Sequence, residues 1–120
     1  MMKEEGDLAS RTKMFALRVV KMFSALLKTA EARVLGNQVL RSGTSVGANY
    51  REAQRARSKS EFISKIGDCL KELDESAYWL ELLAEANIVR PSKLVPLRDE
   101  CNQRLAIFTT ISKKAKSTPS

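Results

Sequence analysis

Arginines flank a stretch of small residues near the middle of the chain, a combination that can bind phosphate. The stretch reads RSGTSVGANYREA, covers residues 41–53 and contains Gly43 and Gly47. A Walker-type phosphate loop requires Gly-x-x-x-x-Gly-Lys followed by Ser or Thr, and a dinucleotide fingerprint requires Gly-x-Gly-x-x-Gly after a strand. Here Ala48 and Asn49 follow the second glycine, and no strand is predicted before it. Both phosphate-loop interpretations therefore fail on spacing.

A helix explains the same stretch better. At about 100° per residue, one helical face collects Val39, Gly43, Val46, Tyr50 and Ala53. Two glycines inside a helix cost roughly 1 kcal/mol each relative to alanine, so something should offset that cost. We predict that Gly43 and Gly47 allow a neighbouring helix to approach closely, in preference to holding a ligand. Asn49, at the edge of this face, is predicted to make a hydrogen bond between helices.

The opposite face of this helix is rich in arginine and supplies the candidate nucleic-acid contacts. Two nearby cations and two lysines of the first helix extend it, so the predicted set is Arg41, Arg51, Arg55, Arg57, Lys59, Lys21 and Lys28. Many phosphate contacts release counterions and bind strongly at low salt. Because few aromatic residues lie outside the core pattern, we expect little sequence specificity. Alternatively, these arginines pair with the acidic third helix of a neighbouring subunit.

Residues able to carry out catalysis are scarce. The chain has no histidine, which excludes Ser-His-Asp and Cys-His arrangements and most zinc sites. Cys69 and Cys101 lack Cys-x-x-Cys spacing and are interpreted as buried free thiols. We therefore predict no catalytic, cofactor-binding or metal-binding residues. An enzyme that uses the carboxylates of the third helix is the disfavoured alternative.

The charge is divided along the chain. The net charge is +7; residues 8–60 hold eleven Lys and Arg against two Glu, whereas residues 61–89 hold two Lys against seven Asp and Glu. A basic half beside an acidic segment suggests either a polyanion partner or complementary faces between subunits. No apolar run approaches the roughly 18 residues of a membrane span, and the start, MMKEEGD, does not resemble a signal peptide. We expect a cytoplasmic protein without membrane contact.

Four amphipathic helices are predicted to position these residues. The first starts near Ser10 and carries the stripe Phe15, Val19, Met22, Leu26 and Ala30. Residues 31–36 are predicted as a connection, and the glycine-containing helix follows. The simplest way to bury every stripe is an all-α, antiparallel, up-down four-helix bundle over residues 10–115, with a flexible leader (1–9) and a disordered tail (116–120).

The last two helices have clear start and stop signals. Ser58 and Glu61 match the capping box Ser-x-x-Glu, and Asn87 is predicted to cap the other end of this third helix. Ser92 is the predicted N-cap of the fourth helix. Its stripe is Leu94, Leu97, Cys101, Leu105 or Arg104, Phe108 and Ile111.

Two adjacent aromatic residues mark the third helix. Tyr78 and Trp79 point about 100° apart on a helix, so one can fill the core while the other faces an interface. We predict an interface role for this pair, with burial of both in the core as the alternative.

Three segments of the chain carry a family resemblance. RSGTSVGANYREA, SKSEFISK and KELDESAYWLELL together resemble the four-helix-bundle proteins encoded within intervening sequences of bacterial 23S ribosomal RNA genes. That family is similar in fold to the accessory variability determinant proteins of diversity-generating retroelements. The resemblance implies a ring-like homo-oligomer, with a pentamer favoured, and a basic surface. For the retroelement relatives it also implies binding to RNA or DNA and to a reverse transcriptase; it supplies no active-site residues.

These predictions combine into two functions. The first is a non-enzymatic, low-specificity nucleic-acid-binding adaptor linked to 23S rRNA intervening sequences. The second is a structural homo-oligomer, or an adaptor for a protein partner such as a reverse transcriptase, that does not itself bind nucleic acid.

Overall fold

Four long helices build the part of the chain that the structure describes. The computed structural model describes residues 3–119, with side chains from Asp7 onward. Its helices are α1 (Lys3–Ser24), α2 (Ala30–Gln54), α3 (Lys59–Glu85) and α4 (Pro91–Ser117). Each helix packs beside the next, and α4 returns beside α1, in a bundle of 50 × 21 × 20 Å. The predicted all-α, up-down four-helix bundle is confirmed.

The two ends of the bundle differ from the prediction in extent. α1 begins at Lys3 instead of near Ser10, so the helix includes most of the predicted leader, and Leu8 from that segment is fully buried. At the other terminus α4 continues through Ser117, into the predicted tail. Residues 1, 2 and 120 of the predicted leader and tail lie outside the described residues.

The boundary between α1 and α2 is also corrected. α1 ends at Ser24 and α2 begins at Ala30, so the predicted connection 31–36 is helical. Thr29 explains the change, because its side chain caps α2 by accepting a hydrogen bond from the third backbone N–H that follows, at 3.2 Å. Gly36 does not interrupt the helix. The side chains of Phe23, on α1, and of Leu26, in the connection after it, occupy the space that a side chain at Gly36 would need.

The predicted caps of α3 are present. The Ser58 hydroxyl accepts a hydrogen bond from the backbone N–H of Glu61 at 3.1 Å. The Glu61 carboxylate accepts from the N–H of Arg57 at 3.3 Å, one residue before the expected position. At the other end, Asn87 has a φ of 60°, the left-handed conformation of a helix C′ residue. The next backbone N–H donates to the Leu83 carbonyl at 3.1 Å, which satisfies an otherwise free helix-end acceptor.

The structure corrects the predicted start of α4 and decides which residue fills one of its core positions. Arg90, not Ser92, is the N-cap, and Pro91 opens the helix at the first position, where its missing N–H costs nothing. The position that the sequence left open between Leu105 and Arg104 is taken by Arg104, which is only 3% exposed. A charged residue thus occupies a place in the apolar stripe of α4.

Candidate nucleic-acid interface

The glycines of α2 lie against α1 and turn the arginine face outward. A Cβ built on Gly43 would lie 2.9 Å from Val19 Cγ2, closer than carbon atoms normally approach, whereas one on Gly47 would lie 3.4 Å from Thr12 Oγ1. The absence of a side chain at Gly43 therefore lets α1 approach α2. This packing leaves the opposite face of α2, with Arg51, exposed to solvent, and Arg55, which follows the helix directly, is exposed as well.

Asn49 does not make the predicted hydrogen bond between helices. It is half-buried, and in residues 3–119 its side chain forms no hydrogen bond to another helix. A fully buried pair of hydroxyls does so elsewhere on α2: the oxygens of Ser42 and of Ser76 on α3 are 2.8 Å apart. Small polar residues in the stripe were the available signal, since a hydroxyl buried in a helix seam needs a partner.

Arg41 differs from the other predicted nucleic-acid contacts because it is engaged within its own chain. Its guanidinium donates to the carboxylate of Glu72 at 3.1 Å and to that of Glu75 at 3.3 Å, both on α3. Burial raises the pKa of Glu72, and the nearby Arg41 charge opposes that rise. The alternative stated from the sequence, pairing with an acidic third helix, thus occurs for Arg41 within one subunit.

The remaining arginines gather at one end of the bundle. Arg51 lies in the last turn of α2, and Arg55, Arg57 and Lys59 follow at the α2–α3 connection. The C-terminal end of α4 lies at the same end of the bundle. We name this surface the basic end, and define it as Arg51, Arg55, Arg57, Lys59, Lys113 and Lys116. Within the described part of the chain no ion pair engages any of these six side chains.

Three of the described acidic side chains at the same end are already engaged. Asp7 pairs with Arg11 at 2.6 Å, Glu52 pairs with Lys65 at 3.5 Å, and Glu61 caps the start of α3. The cations of the basic end therefore present a positive potential that nearby carboxylates do little to cancel.

Lys21 and Lys28 do not join that surface. Lys21 lies in the last turn of α1, and Lys28 lies in the α1–α2 connection. In an up-down bundle, successive connections lie at opposite ends. The seven predicted contacts are therefore divided among the basic end, the opposite half of the molecule and, for Arg41, an ion pair on the side of the bundle.

The two adjacent aromatic residues of α3 have different surroundings, because one is exposed to solvent and the other packs into the bundle. Tyr78 is 54% exposed, whereas Trp79 is half-buried and packs against the core. Their rings meet edge to face, with centroids 5.1 Å apart. Tyr78 is thus the member of the pair that a partner can reach.

The two cysteines are free, buried thiols, as predicted. Burial raises the pKa of Cys69 and of Cys101 to about 12. Because the thiolate is the reactive form, neither sulfur is poised to act as a nucleophile near neutral pH. Over residues 3–119 no group of three or more His, Cys, Asp or Glu side chains is arranged to hold a metal ion.

Similarity to known proteins identifies the family. Residues 4–110 match the family described as 23S rRNA-intervening sequence protein. The chain belongs to this family. Its structure is similar to the 1.70 Å crystal structure of a protein of unknown function from the S23 ribosomal protein family of Bacteroides thetaiotaomicron VPI-5482, with a TM-score of 0.86 and 33% identity. The similarity covers 92% of this chain and 98% of that one. Among curated proteins no sequence matches the chain.

Membership in the family agrees with the resemblance seen in the sequence, and this chain folds as the expected four-helix bundle. In its described part, none of the helices is long and apolar enough to cross a membrane. The seven predicted nucleic-acid contacts and the aromatic pair are assigned by their chemistry and placement alone, because the solved relative has no known function.

Proposed function

We propose that this member of the 23S rRNA-intervening sequence protein family is a cytoplasmic, non-enzymatic adaptor that binds RNA or DNA with low sequence specificity. The observation that carries the proposal is the basic end, where six cations without an ion-pair partner in the described chain surround one helix connection and the end of α4. Phosphates arrayed along a nucleic-acid backbone are the ligand that such a surface attracts most strongly.

The composition of the basic end favours backbone contacts over recognition of bases. Exposed aromatic side chains allow bases to stack. Among the large apolar side chains that are exposed in the described chain, Tyr78 is the aromatic one. It lies on the C-terminal half of α3, away from the basic end. We therefore expect binding that depends on charge and changes little between sequences.

The test is a salt titration of binding to structured RNA and to duplex DNA. The affinity is expected to fall steeply as salt rises, because each displaced phosphate counterion contributes to the slope. The double variant Arg55→Glu/Arg57→Glu is expected to weaken binding on the order of tenfold or more at low salt and to flatten the slope. Fluorescence anisotropy with labelled RNA and DNA measures both quantities.

A matched variant separates position from total charge. Arg33→Glu/Arg98→Glu makes the same charge change at two exposed arginines outside the basic end, and it should retain most of the affinity. Equal losses in both variants would contradict a site at the basic end. Absence of salt-sensitive binding by the wild-type protein would overturn the nucleic-acid function itself.

Exposed Tyr78 favours a second candidate function, a structural homo-oligomer or an adaptor for a protein partner such as a reverse transcriptase. Tyrosine is enriched at interfaces because it offers a large apolar body with a polar tip. On α3 it is surrounded by carboxylates. The second candidate therefore predicts that this face contacts a basic surface of another protein chain.

A further inference from the structure

A wide groove separates α1 from α4 at the end of the bundle opposite the basic end. Its volume is about 590 Å³, and its floor is apolar, with Met22, Leu26, Val89 and Leu97 among its side chains. α1 and α4 are the least closely packed adjacent helices of the bundle, which is why the groove opens here. Leu27, also on its wall, is 57% exposed. An apolar floor of this kind is stabilised when another surface covers it.

Cations stand around this apolar floor. Arg18 and Lys21 line it from α1, and Arg90 and Lys93 line it from the start of α4. Arg18 pairs with Glu100 at 2.9 Å. In the described chain, the other three have no ion-pair partner. We name this site the cationic groove. A surface that fits it must offer apolar area for the floor and at least three carboxylates, one for each cation without an ion-pair partner.

The outer face of α3 has that composition. Asp74, Tyr78, Glu81 and Glu85 follow one another at spacings of four, three and four residues, which places them in one row on a helix. In residues 3–119 none of the three carboxylates has an ion-pair partner, and Tyr78 projects among them. We name this row the acidic face.

We infer that the cationic groove of one copy of the chain receives the acidic face of a second copy. Three unpaired cations would meet three unpaired carboxylates, while Tyr78 would enter the apolar floor. Complementary charge sets the register of such a contact and disfavours other partners. The inference rests on the second candidate function above and names the surfaces by which that oligomer forms; it does not involve the basic end.

The two surfaces lie on different sides of the same bundle, so the contact is heterologous. Over residues 3–119, α3 does not pack against α1 within a subunit, whereas the groove is built largely by α1 and the start of α4. Both surfaces lie toward the end that carries the α3–α4 connection, since Glu85 closes α3 and Arg90 precedes α4. Neighbouring copies can therefore stand side by side, and repetition of the contact produces a ring or an open chain of subunits.

Charge reversal on each surface tests the contact. Lys21→Glu/Lys93→Glu changes the groove, and Glu81→Lys/Glu85→Lys changes the acidic face. Each double variant is expected to weaken self-association on the order of tenfold or more, because like charges then oppose each other. An equimolar mixture of the two variants should regain association, since each supplies the surface that complements the other. A chain with all four substitutions should assemble alone.

Light scattering coupled to size exclusion and sedimentation equilibrium measure the assembly, and circular dichroism verifies that each variant is folded. Lys113→Glu/Lys116→Glu is the matched control, because it reverses two exposed charges at the other end, and it should assemble as the wild type does. A wild-type monomer at all concentrations would overturn both the contact and the oligomeric function. Assembly that survives both double variants, or that mixing does not restore, would overturn the contact alone.

Discussion

The α2–α3 seam and the α1–α4 seam, the contact surfaces between these pairs of adjacent helices, differ in how closely they pack and in how their buried polar groups are paired. Between α2 and α3, buried hydroxyl and thiol groups meet partners: the Ser42 and Ser76 hydroxyls lie 2.8 Å apart, and the Cys69 thiol points to the Val46 carbonyl at 3.6 Å. In the described part of the chain, Trp79 Nε1 on α3 is the exception, because it is buried without a hydrogen-bond partner. Between α1 and α4, the groove is open to solvent. Farther along α4, Arg104 is buried near Arg11 of α1, and its Nε and Nη1 have no hydrogen-bond partner among the described residues.

This difference suggests that the closely packed seams stabilise the fold, whereas the open α1–α4 seam is available for binding. Satisfied buried hydroxyls specify how two helices meet, because any shift would leave a donor or acceptor unpaired. The α1–α4 seam lacks that restriction and leaves apolar area and charge available to another molecule. We therefore expect mutations in the closed seams to act on stability, and mutations in the cationic groove to act mainly on association.

The largest contrast is expected from the same substitution at two glycines. Gly43→Ala places a methyl group against the stiff, branched Val19 in the closed α1–α2 seam. It should lower the free energy of unfolding by about 1–2 kcal/mol even after the gain in helix propensity. Gly67→Ala adds a methyl group on an exposed part of α3, where no other helix and no side chain beyond the adjacent residues of the described chain lies within 4 Å. It should raise that free energy by about 1 kcal/mol.

Urea unfolding followed by circular dichroism measures both changes. The two variants control for each other, because they make the same chemical change in the middle of a helix. A gain at Gly43 equal to that at Gly67 would mean that α1 moves away from α2 at little cost, and would contradict the description of this seam as closed.

Much of the closed seams was predictable from the sequence, whereas the open seam was not. The stripe of α2 and the Ser58 cap depend on residues close together in the chain, so helical periodicity reveals them. The predicted start of α2 was wrong because Gly36 suggests a break in the sequence, whereas the helix continues through it from the N-cap at Thr29. The cationic groove is lined by both Lys21 and Arg90. These residues are distant in sequence, so no local pattern predicts that they share one groove.

Arg104 gives a second way to test the contrast between the seams. Burial and the nearby Arg11 charge lower the pKa of its guanidinium, and two of its nitrogens have no hydrogen-bond partner in the part of the chain that the structure describes. Arg104→Met should therefore raise the free energy of unfolding by about 1–2 kcal/mol, since a buried donor without an acceptor costs about that much and Met fills irregular space well.

Arg98→Met is the matched control for that change, because Arg98 lies on the exposed side of the same helix. Its effect on urea unfolding should stay within about 0.5 kcal/mol. A loss of stability in Arg104→Met, with Arg98→Met unchanged, would show that Arg104 finds a partner in solution and that the α1–α4 seam is better satisfied than its contacts indicate.

The smallest expected effect concerns Glu72, the partly buried partner of Arg41 in the closed seam. Burial raises its pKa above the ordinary glutamate value, despite the opposing Arg41 charge. A raised pKa in the folded state means that Glu72 contributes stability at low pH and that this contribution is lost as pH rises through the folded pKa. Glu72→Gln cannot ionise, so its stability relative to wild type should increase from acidic to neutral pH, by less than about 1 kcal/mol because Arg41 still screens the charge.

Urea unfolding of both proteins across that pH range measures the difference. Glu75→Gln is the control, since it removes the other carboxylate that contacts Arg41 at a more exposed position. If Glu72→Gln instead becomes less stable than wild type as pH rises, the Arg41 ion pair outweighs the burial of the carboxylate. The α2–α3 seam would then be held by charge as well as by its buried hydroxyls, and the two seams would differ even more than their hydrogen bonds indicate.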